Sequence, residues 1–369
     1  MINAMYSVVD RMFLGRMEEG GTLALSAIGI SFPIIMLISA FAALIGAGGA
    51  PLASIKMGEG EHKKAEELLG SCCSMLLMAS VILTALFLIF KSPFLTLFGA
   101  SHETLPLAND FLGIYLFGTV AVLISLGLNP FIAAQGYAKT AMLTVCVGAV
   151  VNIILDAIFI FEMNMGIKGA ALATVIAQFI SAIWVLGFLT SKRAHLRLRL
   201  SNMRINPKEA ASILALGLSP FIMNSTESLI QIVFNTSLAK FGGDMYVAAM
   251  GIMGTLMQIF GTLISSFAQG AQPIISYNYG ARDFARVKST IIYCSILCAA
   301  FGLSMWSIAI FIPQLPINIF TNNPELVALI QINEDIFPWH LYFWYSIGFS
   351  TSIYRLGPSP SFYFYRDFA

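Results

Sequence analysis

Long apolar runs separated by short polar turns limit the possible folds of this chain more than any other feature. A membrane-spanning helix needs about 20 consecutive apolar residues, and most of the runs reach that length. Charged residues make up 11% of the chain, whereas a soluble domain has about 25%. The pattern predicts an all-α polytopic protein of the cell membrane. The candidate spans, about ten, are 1–16, 23–55, 67–90, 110–135, 139–162, 167–190, 209–240, 245–278, 289–312 and 337–354.

Lysine and arginine are unevenly distributed between the polar turns that close these spans, such as "GEGEHKKAEE" (58–67) and "SHETLPLAND" (101–110). Thirteen fall on one side of the predicted membrane and five on the other. By the positive-inside rule the first set is cytoplasmic. The basic segment 191–208 then becomes a cytoplasmic linker. Because the net charge is only +1, we expect no nucleic-acid partner.

The chain contains an internal repeat. Residues 27–69 align without a gap onto residues 249–291 at a displacement of 222, which pairs Gly48 with Gly270 and Pro51 with Pro273. A unit of 222 residues holds six spans, so the repeat predicts two six-helix lobes inserted in the same direction. Transporters of this architecture bind substrate between their lobes and alternate its access to the two sides.

These boundaries predict four regions. Residues 1–190 form the first lobe, with a shortened first span, 191–208 the linker, and 209–333 a partial second lobe with spans seven to nine. In residues 337–369, 13 side chains are aromatic, and the repeat is lost there. We interpret 334–369 as the product of a frameshift, which reading the gene in its other frames past residue 333 would test.

An aspartate, Asp156, lies in the middle of the apolar run "VVNIILDAIFIF". A charged side chain at the bilayer centre costs about 3 kcal/mol on insertion scales and marks a functional site by default. Asn152 precedes it by one helical turn on the same face. Further oxygen-bearing residues of the predicted first lobe are Tyr6, Asp10, Asn129 and Thr174. Such oxygens suit a hard cation such as Na⁺, and two nearby carboxylates equally suit a shared proton.

The second lobe has its own polar residues within predicted spans. Glu227, Gln231 and Asn235 follow one another at four-residue intervals, and Gln258 comes from the next span. We expect these four to line a substrate cavity. The four histidines are scattered over the chain and the five cysteines lie in apolar runs, so the sequence predicts no catalytic site, no disulfide and no metal beyond a possible Na⁺.

Several of these segments resemble the multidrug and toxic compound extrusion (MATE) family of cation-coupled antiporters, and the resemblance covers roughly residues 1–333. The segments are "YSVVDRMFLGR" (6–16), "GAGGAPLASIKMGEGEHKKAEELLG" (46–70), "NPFIAAQGYAKTAMLTVCVGAVVNIILDAIFIF" (129–161), "GIKGAALATVIAQ" (166–178) and "AQGAQPIISYNYGARDFARVK" (268–288). The family has two six-helix lobes, so this chain looks truncated at both ends. The resemblance implies a first-lobe cation site at Asp10, Tyr6, Asn129, Asn152, Asp156 and Thr174, with Na⁺ at Asp10, Asn152, Asp156 and Thr174.

The resemblance also implies a function: export of organic, often cationic, drugs or toxic metabolites in exchange for Na⁺ or H⁺. Its partners would be small organic substrates, the coupling cation and the lipid bilayer, and we expect a monomer without a cofactor. No phosphate-binding GxxxxGK[ST] motif occurs, so ATP is not expected to drive transport directly. Two alternatives stay open, a flippase for lipid-linked saccharides from the same superfamily and a non-functional fragment of such a transporter.

Overall fold

The computed structural model describes residues 21–222, 226 and 243–311 of the chain. Within these residues the chain is helical and contains no strand, which confirms the all-α prediction. The described residues divide into two units, with the boundary between Ser228 and Leu229. The predicted spans 1–16 and 337–354 and the end of span 209–240 lie outside the described residues. The predicted tail region lies outside them too.

The first unit contains seven helices among its described residues. The connection after α6 holds a single 3₁₀ turn, Leu200–Asn202. The helices are α1 (Gly21–Gly58), α2 (His62–Leu97), α3 (Thr104–Phe117), α4 (Thr119–Ala134), α5 (Ala138–Ala157), α6 (Gly166–Thr190) and α7 (207–222).

The helices α1 and α2 are longer than the apolar runs that predicted them. Residues 62–67, interpreted as part of a turn, already form the first turns of α2, which corrects that prediction. Counting apolar residues finds only the segment inside the bilayer, whereas a helix can continue into water with polar side chains. The 38 residues of α1 span about 57 Å at the α-helical rise, so α1 also exceeds the hydrocarbon thickness.

The predicted single span 110–135 consists of two helices, α3 and α4, which meet at Gly118 and bend by 55°. The helix α3 starts at Thr104, inside the predicted turn 101–110. Ser101 N donates to Thr104 Oγ1 at 2.9 Å, and Thr104 N donates to Ser101 Oγ at 3.2 Å. This reciprocal capping starts a helix. A Cβ atom at Gly118 would lie 2.8 Å from Val175 Cγ2. Glycine therefore lets the bend approach α6 closely.

The outer surface of the described helices is apolar. Val81, Ile89 and Ile183 are 69%, 71% and 66% exposed, as lipid-facing side chains are. By length and composition the described residues contain five helices that can cross a membrane, or six if the bent pair α3–α4 is one span. The chain is thus a multi-pass membrane protein.

The second unit is described over two helices, α8 (Gly243–Gly280) and α9 (Phe284–Phe311). The helices α1 and α8 end at Gly58 and Gly280, which are 222 residues apart. The connecting turns match as well, since Gly60 and Arg282 both have positive φ, at 80° and 60°. These bounds are what a repeat of 222 residues predicts for its first helix pair. Two complete six-helix lobes, and the domain boundaries drawn from them, stay a prediction.

Candidate cation-coupling site

The helix α5 has one buried face and one exposed face. Thr144, Gly148, Asn152 and Asp156 follow one another at four-residue intervals and are buried, as one face of a helix with 3.6 residues per turn requires. On the opposite face, Val150 and Ile154 are 55% and 53% exposed, and neighbouring residues there are apolar. The carboxylate of Asp156 therefore points into the helix bundle and not into lipid.

Asp156 and Asn152 form a directly hydrogen-bonded pair. Asn152 Nδ2 donates to Asp156 Oδ2 at 3.0 Å, and the two residues are 0% and 1% exposed, respectively. Asn152 Oδ1 is buried with no hydrogen-bond partner in the described part of the chain. An acceptor oxygen left in this state carries a desolvation penalty of about 1–3 kcal/mol. The amide oxygen is therefore available to a cation or a donor that approaches Asp156.

A π-helical turn, Ile158–Glu162, begins two residues after Asp156. Single π turns within α-helices occur frequently at functional sites. The turn was not predictable from the sequence, because the residues "IFIFE" hold no glycine or proline that would signal it. It widens the helix beside the buried carboxylate.

Thr174 lies on α6, which packs against α5. Ser181 Oγ approaches Thr144 O at 3.5 Å, and an added Cβ at Gly148 would meet the Ser181 side chain. The two helices run in opposite directions. A residue two turns after Gly148 in α5 therefore lies beside a residue two turns before Ser181 in α6. This register places Thr174 level with Asp156. The Thr174 hydroxyl donates to Ala170 O at 3.0 Å, so its oxygen can still act as an acceptor.

The structure does not bring Asn129 to this pair. Asn129 Nδ2 donates to Ala141 O at 3.2 Å, and Ala141 lies 15 residues before Asp156 in α5, about 22 Å along the helix axis. The reason is the tight turn between α4 and α5, which places the end of one beside the start of the other. Asn129 Oδ1 is buried without a partner in the described residues.

Ser125 and Gln178 form a polar contact that was not predicted from the sequence. Ser125 Oγ donates to Gln178 Oε1 at 2.8 Å and so joins α4 to α6. Gln178 follows Thr174 by one turn on the same face of α6. That four-residue interval was visible in the sequence, but the partner on another helix was not.

The structure does not test most of the remaining predicted residues. Tyr6, Asp10, Glu227, Gln231 and Asn235 lie outside the described residues. The backbone of Gln258 lies in α8, in the second unit. Over residues 21–222 and 243–311, no group of three or more His, Cys, Asp or Glu side chains is placed to hold a metal ion.

These features define a class: a helical, multi-pass membrane protein with an acid–amide pair enclosed in its bundle. The MatE family model matches residues 1–158 and 220–354, and the chain belongs to that family. Members of this family are transporters and not enzymes. The matched range extends past residue 333, beyond which a frameshift was predicted, and the frameshift stays a prediction.

Characterised relatives and solved structures are similar to the chain over most of its length. The multidrug export protein MepA of Staphylococcus haemolyticus is 25% identical over 89% of this chain and 72% of the relative. MepA of Staphylococcus saprophyticus is 26% identical over the same shares.

Among structures, that of the MATE multidrug transporter DinF-BH is 31% identical, with a TM-score of 0.80, over 88% of this chain and 73% of that one. An outward-facing multidrug resistance MATE family transporter of the MOP superfamily has a TM-score of 0.85 at 21% identity, over 96% and 79% of the two chains. The second likeness shows the shared fold.

Proposed function

We propose that this chain is a secondary active exporter of organic drugs or toxic metabolites, driven by the inward movement of Na⁺ or H⁺. Relatives named multidrug export proteins support the substrate class, as does the similar structure of a multidrug transporter. The Asp156–Asn152 pair supports the coupling to a cation. Asp156 carries this proposal because it is the one charged residue buried within α5.

An ionised carboxylate enclosed among apolar helices is unfavourable, because burial removes its hydration. A proton removes the charge, and a Na⁺ ion balances it. Both cations can be received by the oxygens of Asp156 and Asn152 Oδ1 and by the Thr174 hydroxyl, a set of hard donors that fits Na⁺. The Asn152 N–H meanwhile holds one carboxylate oxygen in place.

Neutralisation changes which conformation is stable. The cation-free site favours a conformation in which water reaches the carboxylate, and the loaded site tolerates enclosure. A cation that binds one state more tightly shifts the population by that difference. When a neutral substrate is exchanged for one cation, the charge crossing 100 mV supplies about 2.3 kcal/mol, enough for a substrate gradient of roughly fiftyfold.

Within this proposal, Glu227, Gln231, Asn235 and Gln258 are the candidates for the substrate cavity in the second lobe. Tyr6 and Asp10 are candidates for completing the cation site. Asn129 is a weaker candidate for the same site, since its amide is engaged at the opposite end of α5.

Ethidium efflux from cells that express the chain, in media with and without Na⁺, tests the proposal. Asp156→Asn should abolish energised efflux while leaving the protein in the membrane. Glu162→Gln is the matched control, since it makes the same carboxyl-to-amide change at an exposed residue of the same segment, and its efflux should equal wild type. Equal efflux by wild type and Asp156→Asn would remove Asp156 from coupling.

A further inference from the structure

The segment that joins α6 to α7 is strongly basic, and the proposed transport function does not use it. We call residues 191–208 the basic linker. It holds six Lys or Arg and no Asp or Glu in 18 residues. The six are Lys192, Arg193, Arg197, Arg199, Arg204 and Lys208.

The backbone of the basic linker is fixed to the ends of the neighbouring helices. Leu196 N donates to Gln135 Oε1 at 2.8 Å, within a buried contact. Arg197 N donates to Glu66 Oε1 at 3.1 Å. Leu198 N donates to Leu189 O at 2.9 Å, which folds the linker back on α6. These bonds make the middle of the linker a defined surface.

The contacts continue on both sides of this middle portion. The Tyr137 hydroxyl donates to Arg193 O at 3.0 Å, and the Ser71 hydroxyl donates to Arg204 O at 2.8 Å. At Gly70 an added Cβ would overlap the backbone of Asn202, so the linker lies directly on α2 there. The anchoring groups are backbone atoms, which leaves the cationic side chains available.

Some side chains of the basic linker point into the protein and others point outward. Leu196 is fully buried and Leu198 packs against the core, whereas Arg193, Arg204 and Lys208 are exposed. Within the described residues, the ion pair of this segment joins Arg199 to Glu66 at 3.5 Å. The other five cations form no ion pair there, so the outward surface carries uncompensated positive charge.

Leu200 lies at the tip of this surface, in the 3₁₀ turn Leu200–Asn202, and is 88% exposed. A single exposed leucine has no meaning by itself. Here, however, Leu200 adjoins a row of cations in a segment that connects two helices at a membrane surface. At such a surface, apolar side chains enter the headgroup region and cations contact lipid phosphates.

We propose that the basic linker binds the phosphate-bearing headgroups of anionic phospholipids, with Leu200 inserted at the boundary of their acyl chains. The helix α6 before the linker is long and apolar enough to cross the membrane, and the sequence predicts that α7 begins the next span. The surface is therefore held within reach of the leaflet it adjoins. Binding to a fixed surface loses less conformational entropy than binding to a flexible segment. Each uncompensated cation near an anionic leaflet strengthens binding, and three such cations together should raise the affinity by at least about tenfold.

The full chain in nanodiscs of phosphatidylcholine doped with phosphatidylglycerol provides the test, with native mass spectrometry of the phosphatidylglycerol retained. One variant removes three linker cations, and a matched control removes three exposed lysines outside the linker. The linker variant is Arg193→Gln/Arg204→Gln/Lys208→Gln, and the control is Lys63→Gln/Lys139→Gln/Lys288→Gln. Circular dichroism and size-exclusion chromatography establish that both are folded.

The linker variant should bind phosphatidylglycerol at least about tenfold more weakly than wild type, and the control should keep most of the affinity. Added salt should weaken wild-type binding. Leu200→Ser should reduce retention and keep the salt dependence. Equal losses in linker and control variants would overturn the proposal. So would competition by inorganic phosphate alone at a similar concentration, which would identify a site for the free anion and not for lipid.

Discussion

A close approach between α1 and α7 gives the sharpest prediction about stability. An added Cβ at Gly217 would overlap the carbonyl oxygen of Leu44 and lie 2.6 Å from its carbonyl carbon. An added Cβ at Gly48 would overlap the carbonyl oxygen of Ile213. In both cases the obstacle is backbone, which cannot rotate away as a side chain can. Gly217→Ala must therefore separate the two helices.

The magnitude follows from this geometry. Overpacking a close contact costs about 1–3 kcal/mol, and a backbone obstacle places Gly217→Ala at the upper end. Gly187→Ala is the control, because Gly187 lies inside α6 with no atom within 4 Å of an added Cβ. Alanine is favoured over glycine inside a helix by up to about 1 kcal/mol, so Gly187→Ala should be neutral or stabilising.

Thermal unfolding of the detergent-solubilised protein, followed by intrinsic fluorescence, measures both variants. Gly217→Ala should melt clearly below wild type and Gly187→Ala at or above it. If the melting temperature of Gly217→Ala equals that of Gly187→Ala, the close packing of α1 on α7 is refuted.

Three further predictions concern other sites. Asn152→Leu removes the N–H donor that holds the Asp156 carboxylate. A hydrogen bond to a charged group contributes about 1.5–3 kcal/mol. In a Na⁺-driven exporter, half-maximal efflux by this variant should therefore need at least about tenfold more Na⁺. Arg282→Gly relieves a left-handed residue with φ 60° and should stabilise by about 1 kcal/mol in thermal unfolding, whereas Arg282→Ala should give no gain. Hydrogen bonds from Lys64 and Lys56 lower the pKa of Glu61. The ionised Glu61 therefore stabilises the folded protein above the ordinary glutamate pKa of about 4.3, and this contribution is lost as the pH falls through the lowered pKa. Glu61→Gln should lower the melting temperature at neutral pH and match wild type in acid.

Local spacing made part of the site predictable. Asn152 and Asp156 are four residues apart in one helix, and helical geometry alone brings them together. The buried face of α5 follows from the same periodicity. The presence of several membrane-spanning helices was also predictable, because the length of an apolar run reflects the thickness of the bilayer.

Contacts between helices were not predictable in the same way. The close approach of Gly118 to Val175 joins the bend to α6, and the Ser125–Gln178 bond joins α4 to α6. Neither leaves a local signal. Asn129 differs, because the short turn between α4 and α5 already implies that a residue near the end of α4 meets the start of α5. Counting residues from that turn would have placed it far from Asp156.

Substrate uptake by proteoliposomes under an imposed Na⁺ or pH gradient tests most directly whether Asp156 couples cation entry to export. Wild type should move ethidium when the gradient is imposed and stop when an ionophore dissipates it. Asp156→Asn should still bind ethidium but should not respond to either gradient. Gradient-driven transport by Asp156→Asn at the wild-type rate would contradict the account.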